Sequence, residues 1–519
     1  MKESFDVKIF AMSDTHGALL NQNYADNSKT PYGISKLYTY ILENRDKDSV
    51  LIDCGDTIQG SPLMYYHQLH RNESQNPVAM VYNHIGVDYF ILGNHDLNYG
   101  KDYLCNFIGN LNAKTLSANI IEQNDTSYFG VPYDIIAYPN GIKIGLIGLT
   151  TDYIPNWERK ENIQGLTFLS PISSLKKYIA ELKKEKVNAI IVAYHGGFES
   201  DLDTFEPYVQ DTLENVGSRI LKQFSDDIDV FLTGHQHRSI DKVHGNTVII
   251  QPSSNGKLLG EINLHFEKEE NWVLSKKDHR LVSAYDYPSD PSVEKLVEDL
   301  LDKTNVFLDE PIGFVPENDL KVTDTFEARL KKHKIVTFIN QVQLSATKAM
   351  ISAASIGNEV TGFEQYISVR NVLSTYVYPN TLTVVKINGK LLRKALEKNA
   401  EYFVLQDGKV AFNPRYAYPK VEHYNYDMFD GIAYSIDLRK PVQSRIVSLK
   451  YGGRNVRDTD EFTLVLNNYR ASGGGEFEMY QGLEIVKEFQ LDVAELMTNY
   501  IREKKTIIIP NIQNIKIIT

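Results

Sequence analysis

Five short clusters of polar residues constrain this chain most, because each lies directly after an apolar run in the first half of the sequence. The clusters are Asp14-Thr15-His16-Gly17, Gly55-Asp56, Gly93-Asn94-His95-Asp96, His195-Gly196-Gly197 and Gly234-His235-Gln236-His237. Any one of them occurs by chance in a chain of 519 residues. Together, and in this order, they predict one site assembled from loops that follow strands.

The side chains in these clusters are of the types that bind metal ions. Two carboxylates, one amide oxygen and four imidazoles are the candidate ligands: Asp14, His16, Asp56, Asn94, His195, His235 and His237. No thiolate belongs to this set, so the donors favour Zn, Mn, Fe or Co over an iron–sulfur or copper–thiolate centre. The predicted cofactor is therefore a pair of divalent metal ions.

The positions of the ligands indicate how two metals would be shared. Asp14 and His16 are two residues apart at a strand exit, where an extended backbone would turn both to one side, and His237 completes that metal. Asp56 is the expected bridge, and Asn94, His195 and His235 complete the second metal. Two metals about 3.5–4 Å apart hold a hydroxide for in-line attack at phosphorus. His95 is expected to protonate the leaving oxygen or to stabilise the transition state.

Two neighbours of the clusters have a structural interpretation as well as a functional one. Cys54 is interpreted as a small buried residue at a strand end rather than as a ligand. Asp53 is interpreted as an acid that supports the ligands. With only two cysteines, the chain has too few for a disulfide framework.

Short runs rich in valine and isoleucine predict buried strands. They are Val7–Met12, Val50–Asp53, Tyr89–Leu92, Ile142–Thr150, Ala189–Ala193, Asp229–Thr233 and Val248–Ile250. Helical patterns lie between some of them, most clearly from Ser170, the predicted N-cap, to Lys186. Alternating strands and helices predict an α/β fold with the polar clusters at one rim of the sheet.

The pattern changes after residue 267, so we predict a catalytic domain over residues 1–267, a connecting region with a helix over 268–325, and a smaller α+β domain over 326–519. Two tyrosines of the third segment, Tyr424 and Tyr469, lie in polar, partly glycine-rich loops that core packing explains poorly. Two such rings can sandwich a planar base. The alternative is that each ring packs internally with its hydroxyl satisfied.

These motifs resemble the calcineurin-like metallophosphoesterases of the 5′-nucleotidase family. The resemblance implies a four-layer α/β/β/α core with the ligand roles given above. Asn98 stands three residues after His95, where many 5′-nucleotidases have an aspartate that orients the histidine. Together with residues 376–382, 424–427 and 467–470, this asparagine makes the chain most similar to the bifunctional 2′,3′-cyclic-nucleotide 2′-phosphodiesterase/3′-nucleotidases. The resemblance implies that Tyr424 and Tyr469 stack on the base, with Asn425, Asp430 and Arg470 as further substrate contacts.

One departure from the family pattern bears on the substrate. Many relatives carry a Gly-Gly-x-Arg element whose arginine contacts phosphate or ribose, whereas residues 352–358 of this chain contain no arginine. The loss of a bidentate donor disfavours nucleotides with extended phosphate chains and leaves cyclic and simple monophosphates. Arg370 and Arg470 are the candidates to replace it.

The leading hypothesis is a dimetal hydrolase of 2′,3′-cyclic nucleotides and nucleoside 3′-monophosphates. The alternatives are a 5′-nucleotidase, a thiosulfohydrolase of sulfur oxidation, and a catalytically dead nucleotide-binding protein. The net charge of −12 and the absence of a long basic run favour a small nucleotide over a nucleic-acid polymer. The N-terminal residues 1–6 carry no apolar segment typical of a signal peptide, and no apolar run is long enough to span a membrane. We therefore expect a cytoplasmic protein, or an exported one if a leader has been removed.

Overall fold

The chain forms two compact units, Met1–Thr304 and Asn305–Thr519, in a computed structural model. The structure describes residues 3–24, 26–122, 126–156, 158–206, 213–268, 270–317, 320–358, 360–378, 380–417, 421–489 and 491–519.

Two six-stranded sheets organise the described part of the first unit. The first sheet has the strand order Trp272–Ser283, Leu258–Lys268, Ser4–Met12, Val50–Asp53, Tyr89–Ile91, Lys114–Leu116. The second sheet has the order Ser239–His244, Thr247–Pro252, Val230–Thr233, Ala189–His195, Lys143–Thr150, Tyr133–Ala137. A short pair, Ile120–Ile121 with Thr167–Phe168, lies outside both sheets.

The strands that precede the polar clusters run parallel within each sheet. Ser4–Met12 pairs in parallel with Val50–Asp53, which pairs in parallel with Tyr89–Ile91. In the second sheet Ala189–His195 and Val230–Thr233 are parallel neighbours. Since the carboxyl ends of parallel strands meet at one edge, this topology brings the polar clusters of each sheet together, as the sequence predicted.

Helices cover the outer faces of the sheets. They are Ile34–Asn44, Pro62–Leu69, Pro77–Ile85, Lys101–Gly109, Pro171–Lys184 and Gly217–Phe224, with 3₁₀ turns at His95–Leu97, Ile154–Asn156 and Ala284–Asp286. One apolar cluster lies between the two sheets and includes Ile9, Ile52 and Ile191. Two further clusters lie between each sheet and its own helices. The four-layer α/β/β/α architecture is therefore confirmed.

Helix Pro171–Lys184 shows how local sequence sets one of these layers. Leu175, Ile179 and Leu182 are buried on one face, in the apolar cluster of the second sheet. Ser170 occupies the N-cap position, but its side chain makes no capping hydrogen bond. The hydroxyl of Ser173 donates instead to the Ser170 carbonyl at 2.9 Å. The predicted helix start with Ser170 as N-cap is confirmed, although the Ser170 hydroxyl does not bond to the first turn.

Residues 268–325, predicted as a connecting region, contain a full strand of the first sheet. Trp272–Ser283 pairs with Leu258–Lys268 in antiparallel register. Its middle, residues 276–280, is a run of charged residues and one histidine, so the strand lacks the apolar run that marked the central strands. The predicted helix is present and spans Pro291–Asp309.

The second unit is built mainly from two mixed sheets. In the described residues, one has the order Met428–Asp430, Ile351–Ala354, Glu461–Asn467, Leu382–Asn388, Ile485–Phe489, and the other Arg454–Asn455, Ile446–Tyr451, Ile432–Asp437, Ile515–Ile518. Two-stranded pairs are Pro311–Phe314 with Tyr366–Ser368 and Phe403–Gln406 with Lys409–Phe412. Helices and 3₁₀ turns are Thr325–Leu330, Lys334–Thr347, Val369–Thr375, Gly389–Asn399, Pro414–Tyr416, His423–Asn425, Asn468–Ala471, Glu478–Tyr480 and Val493–Lys504. The predicted α+β class is confirmed. Across the described parts of the chain, we find no helix that combines the length and the apolarity needed to cross a bilayer.

Candidate active site

The loops after the parallel strands bring the seven predicted ligands into two groups. Asp14, His16 and His237 each direct one potential ligand atom to a common point, all within 4.8 Å of one another. Asp56, His195 and His235 form a second group by the same measure. Asn94 joins the second group, because its Oδ1 lies 2.8 Å from His235 Nδ1.

Short distances between potential ligand atoms mark the set of Asp14, His16 and His237 as a candidate metal site. The Nε2 atoms of His16 and His237 are 3.1 Å apart, and Asp14 Oδ1 lies 3.4 Å from His237 Nε2. The His16 ring is buried, and burial lowers its pKa to about 4, with the Asp56 carboxylate opposing that shift only in part. A neutral imidazole beside a carboxylate is the form that binds a divalent cation.

In the second group, two buried atoms lack hydrogen bonds. Asp56 Oδ2 and His195 Nε2 lie 3.2 Å apart, and neither makes a hydrogen bond of ordinary geometry to the described residues. Burial opposes ionisation of Asp56, but the nearby His195 and His95 rings hold the pKa of this carboxyl well below its usual range. Buried polar atoms without partners are costly unless a ligand satisfies them. These two atoms therefore fit a divalent cation.

Hydrogen bonds on the far side of each ring fix which nitrogen faces the site. His16 Nδ1 lies 2.9 Å from the Gln59 carbonyl, and His195 Nδ1 lies 2.6 Å from the Cys54 carbonyl. A carbonyl only accepts, so these nitrogens carry the hydrogen and the Nε2 lone pairs face inward. His235 is reversed, because its Nε2 lies 2.8 Å from the Glu214 carboxylate and Nδ1 faces Asn94.

The backbone at these ligands is left-handed rather than extended. Asp14, His16, Asp56, His235 and His237 all have positive φ, between 48° and 67°. Asp14 and His16 do converge on one point, but the predicted extended strand exit was wrong, since the strand ends at Met12. Residues other than glycine adopt this region at a cost and cluster at functional sites when they do.

Glycines in the motifs allow the loops to approach one another closely. A Cβ atom at Gly93 would lie 2.2 Å from both the backbone nitrogen and the Oδ1 atom of Asp56. One at Gly234 would lie 2.2 Å from Ser13 Oγ and 2.8 Å from Asp14 Oδ2. Any side chain at either position would displace a predicted ligand.

Acidic residues that are not ligands hold the ligand loops. Asp96 accepts hydrogen bonds from the backbone nitrogens of Asp56, Thr57, Ile58 and Gly93 at 2.8–3.0 Å. Asp53 Oδ2 accepts from the hydroxyls of Thr57 and Tyr82 and is fully buried, which agrees with a supporting role. Cys54 contributes its carbonyl to His195, and burial raises the pKa of its thiol well above the usual value.

His95 lies beside the ligands without belonging to either group. Its ring centroid is 5.5 Å from that of His16, and its backbone N–H donates to Asp56 Oδ1 at 2.7 Å. Its Nδ1 lies 2.7 Å from Asn98 Oδ1. Asn98 thus orients the ring at the position where the family motif predicted an orienting residue.

The predicted base-binding tyrosines lie in the second unit. The Tyr469 side chain is 43% exposed, and Tyr424 is half-buried, with its ring packed edge-on against Tyr378 at 5.4 Å between centroids. Gly474 allows Tyr469 its position, because a Cβ there would lie 2.5 Å from the Tyr469 ring. Both rings keep surface that a planar ligand can reach, which leaves the stacking role as a prediction.

Arg470 connects the loop of Tyr424 to the loop of Tyr469 through hydrogen bonds. The residue is 1% exposed, and its Nε lies 2.7 Å from Asp427 Oδ2. The guanidinium also donates to the Tyr424 carbonyl and to Asn425 Oδ1 at 3.3 Å each. It also donates to the Gly474 carbonyl and lies 4.2 Å from the Phe477 ring centroid. These contacts place Arg470 and Asn425 in the support of the loops, where the sequence had suggested substrate contacts.

Two further residues considered for substrate binding form ion pairs with other side chains of the second unit. Asp430 is buried, forms an ion pair with Lys332 and accepts from Asn514 at 3.3 Å. Arg370 pairs with Asp309 at 2.7 Å. The ion pair with Lys332 does not favour the substrate contact predicted for Asp430, and the pair with Asp309 does not favour Arg370 as the replacement for the missing family arginine. Instead Arg329, which the sequence did not single out, lies fully buried and donates to the Ile356 and Gly357 carbonyls of the stretch that lacks the family arginine.

Comparison with known proteins agrees with this geometry. Residues 7–239 match the calcineurin-like phosphoesterase family, and residues 311–482 match the 5′-nucleotidase C-terminal domain. A Staphylococcus aureus protein assigned as a 5′-nucleotidase, solved in complex with alpha-ketoglutarate, has 32% identity and a TM-score of 0.83, with 99% of this chain and 100% of that one covered. The chain belongs to the 5′-nucleotidase family of metallophosphoesterases.

Curated relatives agree with the assignment to this family. The chain is 27% identical to the 2′,3′-cyclic-nucleotide 2′-phosphodiesterase/3′-nucleotidase of Haemophilus influenzae, over 98% of this chain and 87% of that protein. It is 26% identical to the trifunctional nucleotide phosphoesterase YfkN of Bacillus subtilis, over 96% of this chain but only 38% of that protein. The protein is thus a metal-dependent nucleotide phosphoesterase, and its two ligand groups fit two divalent ions.

Proposed function

We propose that this nucleotide phosphoesterase opens 2′,3′-cyclic nucleotides and then removes phosphate from the resulting nucleoside 3′-monophosphates. The observation that carries the proposal is Asn98 in hydrogen-bond contact with His95 at 2.7 Å, because the family resemblance associates asparagine here with the cyclic-nucleotide branch. The activity named for the Haemophilus influenzae relative supports the same choice.

The reaction has two hydrolytic steps. In the first, water adds to phosphorus, the bond from phosphorus to the ribose 2′ oxygen breaks, and that oxygen takes a proton. In the second, water again adds to phosphorus, the bond to the 3′ oxygen breaks, and nucleoside and inorganic phosphate leave. Both steps need an activated water and a proton donor at the leaving oxygen.

Different residues of the chain serve these tasks. The groups that contain Asp14 and Asp56 would hold two divalent ions, which would supply Lewis-acid stabilisation of the phosphate oxygens and activation of water. His95 Nδ1 is held by Asn98, so its Nε2 is the nitrogen that can deliver a proton to the leaving ribose oxygen. Tyr424 and Tyr469 supply stacking surface for the base.

A 5′-nucleotidase is the second candidate, and the name given to the Staphylococcus aureus relative supports it. It uses the same metals and the same clamp, so only the position of the phosphate on the ribose separates the two activities. A thiosulfohydrolase would not need base-stacking tyrosines. A catalytically dead protein would have lost ligands, whereas all seven predicted ones are present.

A hydrolysis panel tests the proposal. The metal-replete protein is assayed for phosphate release and, by chromatography, for ring opening on 2′,3′-cyclic AMP, 3′-AMP, 2′-AMP and 5′-AMP, with Asp56→Asn as the inactive control. We expect the highest kcat/KM on 2′,3′-cyclic AMP, accumulation of 3′-AMP rather than 2′-AMP, and slower attack on 5′-AMP. A preference for 5′-AMP would overturn the proposal in favour of the 5′-nucleotidase.

A further inference from the structure

A carboxylate lies directly behind the asparagine that orients His95. Asn98 Nδ2 donates to Glu158 Oε2 at 2.6 Å, and Asn98 Oδ1 lies 2.7 Å from His95 Nδ1. Glu158 is 8% exposed although it is an acidic residue in a loop. Its Oε1 accepts from Asn162 Nδ2 at 2.8 Å and from the backbone N–H of Arg159 at 2.7 Å.

The hydrogen-bond chemistry of this chain of residues allows one arrangement. A carboxylate only accepts, so the NH₂ of Asn98 must face Glu158 and its carbonyl oxygen must face His95. That oxygen also only accepts, so His95 Nδ1 must carry the hydrogen. An asparagine by itself can present either end to an imidazole. Glu158 removes that ambiguity and leaves Nε2 as the reactive nitrogen.

We propose that Glu158 is a positioning residue, which acts through Asn98 to fix the tautomer and orientation of His95 during phosphoester hydrolysis. The inference rests on the proposed function only for the role of His95 as the group that serves the leaving oxygen. In relatives with an aspartate at position 98, the negative charge would lie next to His95. In this chain the charge lies on Glu158, one hydrogen bond beyond Asn98. Asn98 carries its effect as a hydrogen-bond relay.

This arrangement predicts how substitutions of Asn98 and Glu158 affect each other. In Asn98→Asp, two carboxylates would face each other across the 2.6 Å contact, which costs repulsion or an added proton. In Glu158→Gln, the new amide can face Asn98 with either end, so the orientation of Asn98 is no longer fixed. In the double variant, the carboxylate introduced at position 98 accepts from both His95 and the amide introduced at position 158, so every hydrogen bond is again satisfied.

The experiment compares Glu158→Gln, Asn98→Asp and the double variant with the parent. Glu161→Gln, an exposed position in the same loop, controls for loss of one negative charge. Substrates are phenyl phosphate and 4-nitrophenyl phosphate, which carry no base and differ in how much the leaving oxygen needs a proton. Bound metal, kcat and KM are measured for every variant.

We expect each single variant to lower kcat on phenyl phosphate about tenfold or more, with smaller changes in KM and unchanged metal content. The loss should be smaller on 4-nitrophenyl phosphate, whose leaving group departs readily without a proton. The double variant should recover most of the lost kcat, and Glu161→Gln should resemble the parent. This pattern does not depend on nucleotide preference, so failure of the nucleotide panel would leave it testable.

Two results would overturn the inference. If the double variant were no better than the worse single variant, Glu158 would serve only to pack the loop against Asn98. If Glu158→Gln kept parental kcat on both substrates, the orientation of His95 would not depend on Glu158 at all.

Discussion

The Nε2 atoms of His16 and His237 lie 3.1 Å apart, although 221 residues separate them in the sequence. The Nδ1 of His16 is bonded to the Gln59 carbonyl, so its Nε2 presents a lone pair to His237. The carboxylate of Asp14 stands 3.4 Å from His237 Nε2. Three donors facing one point are arranged as a cation would require.

Asp56 should be the most sensitive ligand. Its Oδ1 accepts the His95 backbone N–H at 2.7 Å, while Oδ2 lies against His195 at 3.2 Å without a hydrogen bond. We expect Asp56→Asn to remove most activity and to lower bound metal more than His235→Ala, because a bridging ligand serves both ions. Metal content by elemental analysis and turnover measure this. Near-normal turnover with full metal in Asp56→Asn would contradict the dimetal assignment.

Glu214 should control metal affinity without touching the metal. Its carboxylate accepts from His235 Nε2 at 2.8 Å and so directs Nδ1 to the second ligand group. Loss of such a partner costs about 10–100-fold in metal affinity. We expect this loss in Glu214→Gln by competition with a metal-binding dye, and no loss in Glu206→Gln, an exposed glutamate earlier in the sequence. Equal affinity in the two variants would show that His235 needs no carboxylate partner.

The sequence predicted the ligand loops well, because ligand types and strand ends are both local patterns. Val50–Asp53 was predicted to the residue, and the strands before Asp14, Asn94 and His235 within a few residues. The backbone at those ligands was not predictable in the same way. The positive φ values of these ligands are a property of loops, and alternation of apolar and polar residues does not encode them.

Partners that are distant in sequence could not be predicted. Glu158 and Glu214 belong to no motif and acquire their roles only when loops far apart in sequence meet at Asn98 and His235. The same reason explains Arg470. Its loop suggested a substrate contact, whereas burial and the ion pair with Asp427 assign it to support of the loops.

His95→Ala should separate catalysis from metal binding. The ring lies beside His16 but in neither ligand group, so its removal leaves both groups intact. We expect kcat to fall by about 10²–10⁴ with metal content unchanged, as for loss of an acid catalyst or of transition-state stabilisation. A parallel loss of bound metal would instead make His95 a ligand.

Arg470→Met should destabilise the protein even without substrate. Burial raises the pKa of Asp427, and the adjacent guanidinium opposes that shift, so the variant would leave a buried carboxyl without its partner. Removing one member of a buried ion pair costs about 3–5 kcal/mol. Chemical denaturation should show this loss, and Arg470→Met/Asp427→Asn should recover part of it. Unchanged stability in the single variant would contradict the supporting role of Arg470 and leave the substrate contact as its predicted role.

The tyrosine clamp should affect substrate binding more than chemistry. Tyr424→Ala and Tyr469→Ala remove stacking surface, while the predicted metal ligands all lie in the first unit. Stacking on an aromatic side chain contributes about 1–3 kcal/mol per base, so KM for 2′,3′-cyclic AMP should rise with little change in kcat. Tyr366→Ala, at a tyrosine that is 66% exposed in the same unit, provides the matched control.

A cyclic phosphate without a base separates stacking from general damage. Glycerol 1,2-cyclic phosphate presents the same five-membered phosphodiester but has no ring for Tyr424 or Tyr469 to contact. The clamp variants should therefore hydrolyse it as the parent does, while their KM for 2′,3′-cyclic AMP is raised. If both variants bind 2′,3′-cyclic AMP as tightly as the parent, the second unit does not recognise the base through these rings. The activity would then be that of a phosphoesterase that recognises the phosphate and the sugar alone.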